Sequence, residues 1–147
     1  MRVLVQRSGP CEVWIDGQKY SETGPGLMLL FGSRQGDKIE SVGWLADKVV
    51  NLRIFEDDQG KMNRSALDTN ADIMIVSQFT LYADCRKGRR PSFGEAQDPL
   101  EAEKMYNRFV ELVSASGLTT RTGQFGAVME VKFTNLGPVT IPLEHEL

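Results

Sequence analysis

Residues 27–31 read LMLLF and follow directly on a Gly-Pro-Gly turn at residues 24–26. All five side chains are apolar, so a strand formed by this run has no face suited to solvent. A second run, IMIV at residues 73–76, has the same property and lies inside a predicted strand over residues 72–79. These two segments predict the central strands of a sheet.

Six further segments have the character of strands. Val3 and Val5 alternate with more polar neighbours in the first of them, and Asp16-Gly17 is a strong hairpin signal between the second and the third. Pro142 lies in the last one, which predicts an edge position in the sheet. The six predicted strands are residues 2–8, 11–16, 18–22, 119–122, 127–134 and 139–143.

Two segments have helical spacing of their apolar residues. The first covers residues 37–51. The second begins with Asp98 as N-cap, Pro99 at the first helical position and Glu101 three residues after the cap, which predicts a capping box, and Gly117 ends it. The predicted buried stripes are Ile39, Val42, Leu45, Ala46, Val49 and Val50 in the first helix, and Ala102, Met105, Tyr106, Phe109, Leu112 and Val113 in the second.

About eight strands and two helices that do not strictly alternate predict an α/β protein of the α+β type. We expect a mixed β-sheet or barrel-like core with the two main helices packed on it, in a single domain of residues 1–147. A dinucleotide-binding sheet is disfavoured, because residues 123–126 (GQFG) lack the glycine spacing of a phosphate loop.

The composition excludes several kinds of chemistry. The 147 residues include one histidine, His145, and two cysteines, Cys11 and Cys85. A Ser-His-Asp triad needs a histidine held inside the fold, and a His/Cys zinc site needs three or four such ligands. We therefore expect no metal and no cofactor, and catalysis by hydroxyls, carboxylates, backbone dipoles or the substrate itself.

Charge and targeting signals predict a cytoplasmic protein. No run approaches the roughly 18 apolar residues of a membrane span, and the first residues lack the features of a signal peptide. The net charge of −3 is unlike that of a general nucleic-acid binder. Arg86, Lys87, Arg89 and Arg90 nevertheless form a basic run, which is either a phosphate contact or a solvated loop.

Two polar segments at or beyond the ends of predicted strands are the candidates for a functional site. The first, SQFT at residues 77–80, places three hydrogen-bonding side chains around one aromatic ring, which suits a small polar ligand. The polar face of an ordinary strand explains it equally well. The second, residues 135–140, contains Gly137-Pro138, which is either a turn or a cis peptide that turns consecutive carbonyls into a cleft.

Together these segments resemble the signature motifs of the D-aminoacyl-tRNA deacylases, the D-tyrosyl-tRNA deacylase family. The match covers essentially the whole chain, and the motifs occur in the family's order. Residues 8–11 (SGPC) depart from it, since the family tends to have a valine and then an alanine after Gln6-Arg7, and Leu136 stands where the family is often polar. The matching segments are residues 6–7, 53–55, 61–63, 77–81, 90–93, 122–123 with Phe125, Asn135 and 137–140.

The resemblance implies a homodimer that hydrolyses the ester between a D-amino acid and the terminal ribose of tRNA, with the active site at the subunit interface. The implied substrate is aminoacyl-tRNA, held by its 3′-terminal adenosine and acceptor stem. The implied catalytic residues are Ser77, Gln78, Phe79 and Thr80. The implied substrate-binding residues are Gly137, Pro138, Met129, Phe125 and Arg7. Of these, Gly137 and Pro138 form a cis peptide that the other subunit inserts into the site. The implied tRNA-binding residues are Arg86, Lys87, Arg89 and Arg90.

The mechanism and the function leave alternatives open. We expect the ribose 2′-OH to help activate a water, because no histidine can activate Thr80, and the alternative is Thr80 as a covalent nucleophile. A backbone wall at Gly137-Pro138 would reject L-amino acids but not glycine, so glycine mischarged on tRNA(Ala) would also be cleared. The competing functions are a deacylase for a small L-amino acid, a non-catalytic tRNA-binding dimer and a purely structural dimer. Intact Gly137-Pro138 disfavours the first, and intact residues 77–80 disfavour the second.

Overall fold

The computed structural model describes residues 1–146, and its elements form one large sheet, one small hairpin and four helical segments within that span. The strands are β1 (Arg2–Ile15), β2 (Gln18–Thr23), β3 (Gly26–Gly32), β4 (Phe55–Glu56), β5 (Met62–Arg64), β6 (Asp72–Ser77), β7 (Thr120–Thr122) and β8 (Glu130–Glu144). The helices are α1 (Ser41–Asn51), α2 (Ala66–Thr69) and α3 (Pro99–Ser114), together with a 3₁₀ helix over Phe79–Tyr82.

Strand β3 lies in the middle of the large sheet, whose order is β2-β1-β3-β6-β7 with β8 on the other edge of β1. It runs antiparallel to β1 and parallel to β6. Leu27, Leu29 and Phe31 enter the core under helices α1 and α3, whereas Met28 enters a second core on the opposite face. The central position predicted for LMLLF is confirmed, and so is the α+β class.

The sheet curls until its first and last strands meet. Ser21 Oγ on β2 donates a hydrogen bond to the carbonyl oxygen of Thr122 on β7 over 2.7 Å, which bridges the remaining gap. The inside of this nearly closed barrel is filled by buried side chains of β1, β3 and β6. They are Cys11, Val13, Met28, Met74 and Val76.

Strand β1 joins two segments that we predicted as separate strands. Val5 and Cys11 are six residues apart and would share a face of a regular strand, yet they lie in the two different cores. The pairing of β1 with β8 shifts register between Gln6 and Cys11, and such an irregularity turns the following side chains to the other face. Strand β8 likewise joins the predicted strands 127–134 and 139–143. In residues 1–146 it pairs with β1 alone, so Pro142 lies on an edge strand as predicted.

Helix α1 begins at Ser41, later than predicted. Residues 38–41 form a turn, and Asp37 instead accepts the backbone N–H of Arg34 over 2.8 Å. Ile39 therefore lies outside the helix and is exposed, while the other five members of the predicted stripe are buried.

Helix α3 confirms the cap but not the full capping box. The Asp98 carboxylate accepts the backbone N–H of Glu101 over 3.2 Å. The reciprocal bond is absent in the described part of the chain, because the N–H of Asp98 donates to the Gln97 side chain and the Glu101 carboxylate pairs with Lys104. Four of the six predicted stripe residues are buried, whereas Ala102 and Leu112 are half-buried.

The predicted strand over residues 72–79 is wrong at its end, because β6 stops at Ser77. The N–H of Gln78 still bonds the carbonyl of Phe31 over 2.7 Å, and the chain then closes into the 3₁₀ helix through Leu81 N–H to Gln78 O and Ala83 N–H to Thr80 O. This turn lifts Phe79 and Thr80 out of the sheet to the surface. None of the helices in residues 1–146 is long and apolar enough to cross a membrane.

Candidate active site

A cleft of about 700 Å³ opens beside the carboxyl end of β6. Phe79 and Phe93 meet edge to face on one side, with ring centroids 5.0 Å apart and planes at 70°. Five of the residues that the sequence pointed to line this one cleft. They are Ser77, Gln78, Phe79, Phe125 and Met129.

The 3₁₀ helix shapes the edge of the cleft and carries the remaining predicted catalytic residue, Thr80. The Gln78 side-chain amide donates a hydrogen bond to the Thr80 hydroxyl, and both Phe79 and Thr80 are exposed. Strand β3 approaches this helix closely at Gly32. A Cβ at Gly32 would lie 2.8 Å from the carbonyl oxygen of Gln78, so a side chain there would push the turn away.

The cleft contains almost no ionisable chemistry. Asp98 is the single charged side chain among its lining residues in the described chain, and its carboxylate is already engaged as the N-cap of α3. No group of three or more His, Cys, Asp or Glu residues in residues 1–146 is arranged to hold a metal ion. The cleft can therefore bind a flat, partly apolar group and orient it, but its lining offers no histidine as a general base.

A second structure of interest is the Gly-Pro loop, residues 135–139 of β8. Residues 136–139 have no ladder partner on β1, and the Gly137-Pro138 peptide bond is cis. The Asn135 side chain holds the loop, since its Oδ1 accepts the N–H of Val139 over 2.7 Å. Its Nδ2 donates to Thr140 Oγ1 over 2.9 Å.

Arg7 anchors the Gly-Pro loop from β1. Its Nε donates to the carbonyl oxygen of Leu136 over 3.0 Å, and its Nη1 donates to that of Ile54 over 2.8 Å. Gly137 has a φ of +133°, and a Cβ built there would lie 3.1 Å from Arg7 Nη2 and 2.9 Å from a Val139 methyl carbon. The position therefore requires glycine both for its backbone and for its neighbours.

The Gly-Pro loop does not reach the cleft of its own chain. Neither Gly137, Pro138 nor Arg7 is among the residues that line the cleft. Arg7 and Leu136 instead border a separate hollow of about 240 Å³ against Phe55. Residues 136–138 are exposed, so the loop projects to solvent in the single chain.

The basic run forms a loop next to the cleft. A β-bridge between Asp84 and Ser92 closes it, and the following residue, Phe93, is the ring that packs on Phe79. Arg86 is engaged internally: its guanidinium pairs with Asp84 at 2.7 Å and lowers the pKa of that carboxyl group to about 2. The sequence treated four cations alike, but Lys87, Arg89 and Arg90 are exposed and form no ion pair with the described residues.

Sequence reasoning missed several lining residues because they had a sufficient structural explanation. Asp98 was assigned as a helix cap and Ala102 as part of a buried stripe, and both also line the cleft. Phe93 was part of a quoted motif without a role. Phe93 could have been recognised from the sequence. It follows polar residues in RPSF, residues 90–93, and lies outside every predicted strand and helix, so the core does not explain an aromatic ring there.

The comparisons with known proteins place this small α+β barrel among the hydrolases that act on aminoacyl-tRNA. The sequence model of the D-Tyr-tRNA(Tyr) deacylase family matches residues 4–144. This chain belongs to that family.

Relatives agree with this assignment, and solved structures share the fold. The D-aminoacyl-tRNA deacylase of Thermomicrobium roseum is 54% identical over 144 residues, which cover 98% of this chain and 94% of the relative. That of Halothermothrix orenii is 52% identical, with coverage of 98% and 97%. The solved "c-Myc DNA Unwinding Element Binding Protein" superimposes with a TM-score of 0.93 at 37% identity over the full length of both chains. A probable eukaryotic D-amino acid tRNA deacylase shares the fold with a TM-score of 0.82 at 20% identity, over 97% of both chains.

Proposed function

We propose that this deacylase hydrolyses the ester bond of D-aminoacyl-tRNA, such as D-Tyr-tRNA, and rejects L-amino acids with the Gly-Pro loop of a second copy of the chain. One observation carries the proposal. The cleft and the Gly-Pro loop are each firmly held, yet the loop contributes nothing to the cleft of its own chain. If the Gly-Pro loop of a second copy completes the cleft, the cleft and the loop together form one site.

A homodimer supplies that second copy. Strand β8 pairs with β1 on one side and, in the described residues, leaves its other edge free over 15 residues. A long unpaired edge presents free N–H and C=O groups that can pair with another chain. Val131, Phe133 and Ile141 on this strand are only half-buried, so apolar surface is available for a self-complementary contact about a two-fold axis.

In this arrangement the cleft takes the 3′-terminal adenosine and the Gly-Pro loop takes the amino acid. The aromatic rings of Phe79, Phe93 and Phe125 offer stacking surfaces for the base. The carbonyl of Gly137, in the unpaired part of the loop, accepts a hydrogen bond from the α-ammonium of the substrate. With the ammonium and the ester fixed, a D side chain points to solvent, whereas an L side chain meets the backbone wall.

The chemistry is substrate-assisted. The Thr80 hydroxyl already accepts a hydrogen bond from the Gln78 side-chain amide. The cleft lining holds no histidine to activate that hydroxyl as a nucleophile. The vicinal 2′-OH of the ribose instead helps to activate a water. The first N–H groups of the 3₁₀ helix, at Phe79 and Thr80, stabilise the oxyanion, and each such donor contributes roughly 10²–10³ in rate.

The same geometry extends the substrate range to glycine. Glycine has no side chain to meet the wall, so glycine mischarged on tRNA(Ala) is hydrolysed as well.

The exposed cations Lys87, Arg89 and Arg90 hold the acceptor stem by its phosphates. Arg86 has its charge committed to Asp84 and contributes less. The site of action is the cytoplasm, where tRNAs are charged.

The test compares hydrolysis of D-Tyr-tRNA, L-Tyr-tRNA, Gly-tRNA(Ala) and L-Ala-tRNA by the purified protein. We expect cleavage of the first and third alone. Preferential cleavage of L-Ala-tRNA would instead indicate an L-specific deacylase. Binding of tRNA without any cleavage would indicate a non-catalytic module, and dimerisation without either activity would indicate a structural dimer.

The mechanism is tested with a change in the substrate and a change in the enzyme. Removal of the terminal 2′-OH from 3′-charged D-Tyr-tRNA should collapse the rate. The Thr80→Ala variant should retain near-normal turnover. The opposite pair of results would establish Thr80 as the nucleophile.

A further inference from the structure

The 3₁₀ helix Phe79–Tyr82 is too short to hold its own shape. The hydrogen bonds at its two ends join Leu81 N–H to Gln78 O at 3.3 Å and Ala83 N–H to Thr80 O at 3.1 Å. Helical segments of this length are marginal without tertiary contacts. Something outside the segment must therefore fix the position of Phe79 and Thr80.

Arg2 at the start of β1 makes three contacts that meet this need. Its Nη1 donates to the carbonyl oxygen of Leu81 over 2.8 Å. Its guanidinium carbon lies 4.4 Å from the ring centroid of Tyr82, a cation–π contact. Its Nε donates to Glu144 on β8 over 3.0 Å, which fixes the direction of the guanidinium.

Tyr82 makes the far side of this contact rigid. The side chain is 2% exposed, so its ring cannot move without opening the core. Burial raises the pKa of its phenol above the ordinary value, with Asp37 adding to the effect, so the ring stays neutral. Arg2 therefore joins two long strands to the carboxyl end of the 3₁₀ helix through a planar group with two separate donors, which lysine cannot reproduce.

We propose that Arg2 is a positioning residue for the deacylation reaction, acting through Leu81 and Tyr82 on the backbone of Phe79 and Thr80. It touches no substrate and lies outside the cleft lining. The proposal rests on the function proposed above, in which the N–H groups of Phe79 and Thr80 stabilise the oxyanion. Loss of Arg2 relaxes those donors away from the reacting carbonyl but leaves the cleft and the Gly-Pro loop in place.

The experiment measures kcat and KM for D-Tyr-tRNA with Arg2→Met, Arg2→Lys and a matched control. The control is Arg108→Met, which removes an arginine paired with Glu111 on the surface of α3. We expect Arg2→Met to lower kcat about tenfold with KM within about twofold, because misplaced donors cost transition-state stabilisation and not binding. Arg2→Lys should recover only part of kcat, and Arg108→Met should equal the wild type.

A double variant shows whether Arg2 acts through the tyrosine ring. In the double variant Arg2→Met/Tyr82→Leu, the fold-loss of kcat should be smaller than the product of the fold-losses in the two single variants. The effects of two residues that contact each other are not independent. If Arg2→Met fails to fold, Arg2→Lys carries the test alone. Unchanged kcat in Arg2→Lys, or a rise in KM at constant kcat in either variant, overturns the proposal. Inactivity of the wild type on D-Tyr-tRNA would overturn the proposed function instead.

Discussion

The cleft and the Gly-Pro loop are held by different means. The cleft is built on the backbone ladder of β3 and β6 and on buried side chains, so the core of the protein supports it. The loop lies on an exposed edge strand and is fixed by the side chains of two residues, Arg7 and Asn135. The region proposed to perform hydrolysis is therefore supported by the whole fold. The region proposed to select chirality depends on a few hydrogen bonds at the surface.

The largest effect is expected when the loop itself is changed. Gly137→Ala adds a methyl group where φ is +133° and where Arg7 Nη2 and a Val139 methyl lie 3.1 and 2.9 Å away. The loop must shift, and a misplacement of about 1 Å costs about 10²-fold in rate. We expect a loss of D-Tyr-tRNA hydrolysis of that order in steady-state kinetics.

The matched control is Gly17→Ala, which also places a methyl group at a positive φ, +74°, but with no atom within 4 Å of it. It should lose some stability through backbone strain and keep its activity. Equal losses of activity in both variants would mean that general destabilisation, and not the loop, sets the rate.

A smaller effect is expected when the anchor of the loop is removed. Arg7→Met deletes the hydrogen bonds to the carbonyl oxygens of Leu136 and Ile54. The loop carbonyls then sample other directions, so we expect about tenfold slower hydrolysis of D-Tyr-tRNA and weaker rejection of L-Tyr-tRNA. The ratio of kcat/KM for the two substrates measures this. An unchanged ratio would show that Arg7 does not orient the loop.

The basic loop beside the cleft should affect binding more than chemistry. Reversal of Arg89 and Arg90 to Glu should weaken tRNA binding and reduce the slope of log K against log salt by about two, one for each lost phosphate contact. Arg86→Gln should change the slope less, because Arg86 is paired with Asp84. Equal slopes for the three proteins would remove this loop from the tRNA interface.

The smallest effect concerns pH. Because the Arg86 guanidinium lowers the pKa of Asp84 from 3.8 to about 2, the ionised carboxylate stabilises the folded loop fully above the ordinary pKa. That stabilisation is lost as the pH falls through the folded-state value. The hydrogen-exchange protection factors of residues 84–92, corrected for the intrinsic exchange rate at each pH, should therefore fall across this window. An Asp84→Asn variant should show no such change, and an identical profile for the two proteins would contradict the pairing.

The sequence predicted the centre of the fold better than its edges. LMLLF and IMIV were identifiable because a strand buried on both faces has no polar alternation. The end of β6 was predicted wrongly, because SQFT contains no glycine or proline that would indicate a turn. The shape of the 3₁₀ helix depends instead on Gly32 and Arg2 from distant strands. The switch of faces in β1 depends in the same way on its pairing with β8.

Some residues of the candidate site could be predicted from the sequence and others could not. Ser77, Gln78 and Phe79 were identified by their polar and aromatic side chains at the end of an apolar strand, whereas Phe125 and Met129 came only from the resemblance to a family. The role of Asp98 in the cleft was hidden because a residue that caps a helix needs no second explanation. The internal pairing of Arg86 was not predictable either, because it depends on the bridge that sets Asp84 opposite Ser92.

The central claim is that a cleft from one chain and a Gly-Pro loop from another form one site. The most direct measurement uses two inactive variants, Gly137→Ala and Ala127→Phe, the second of which fills the cleft from its half-buried lining position. Co-expression with two different tags and sequential purification isolates the mixed dimer. In a two-fold dimer one of its two sites combines an intact cleft with an intact loop, so we expect about half of the wild-type activity. Activity no higher than that of the parent variants would contradict the claim.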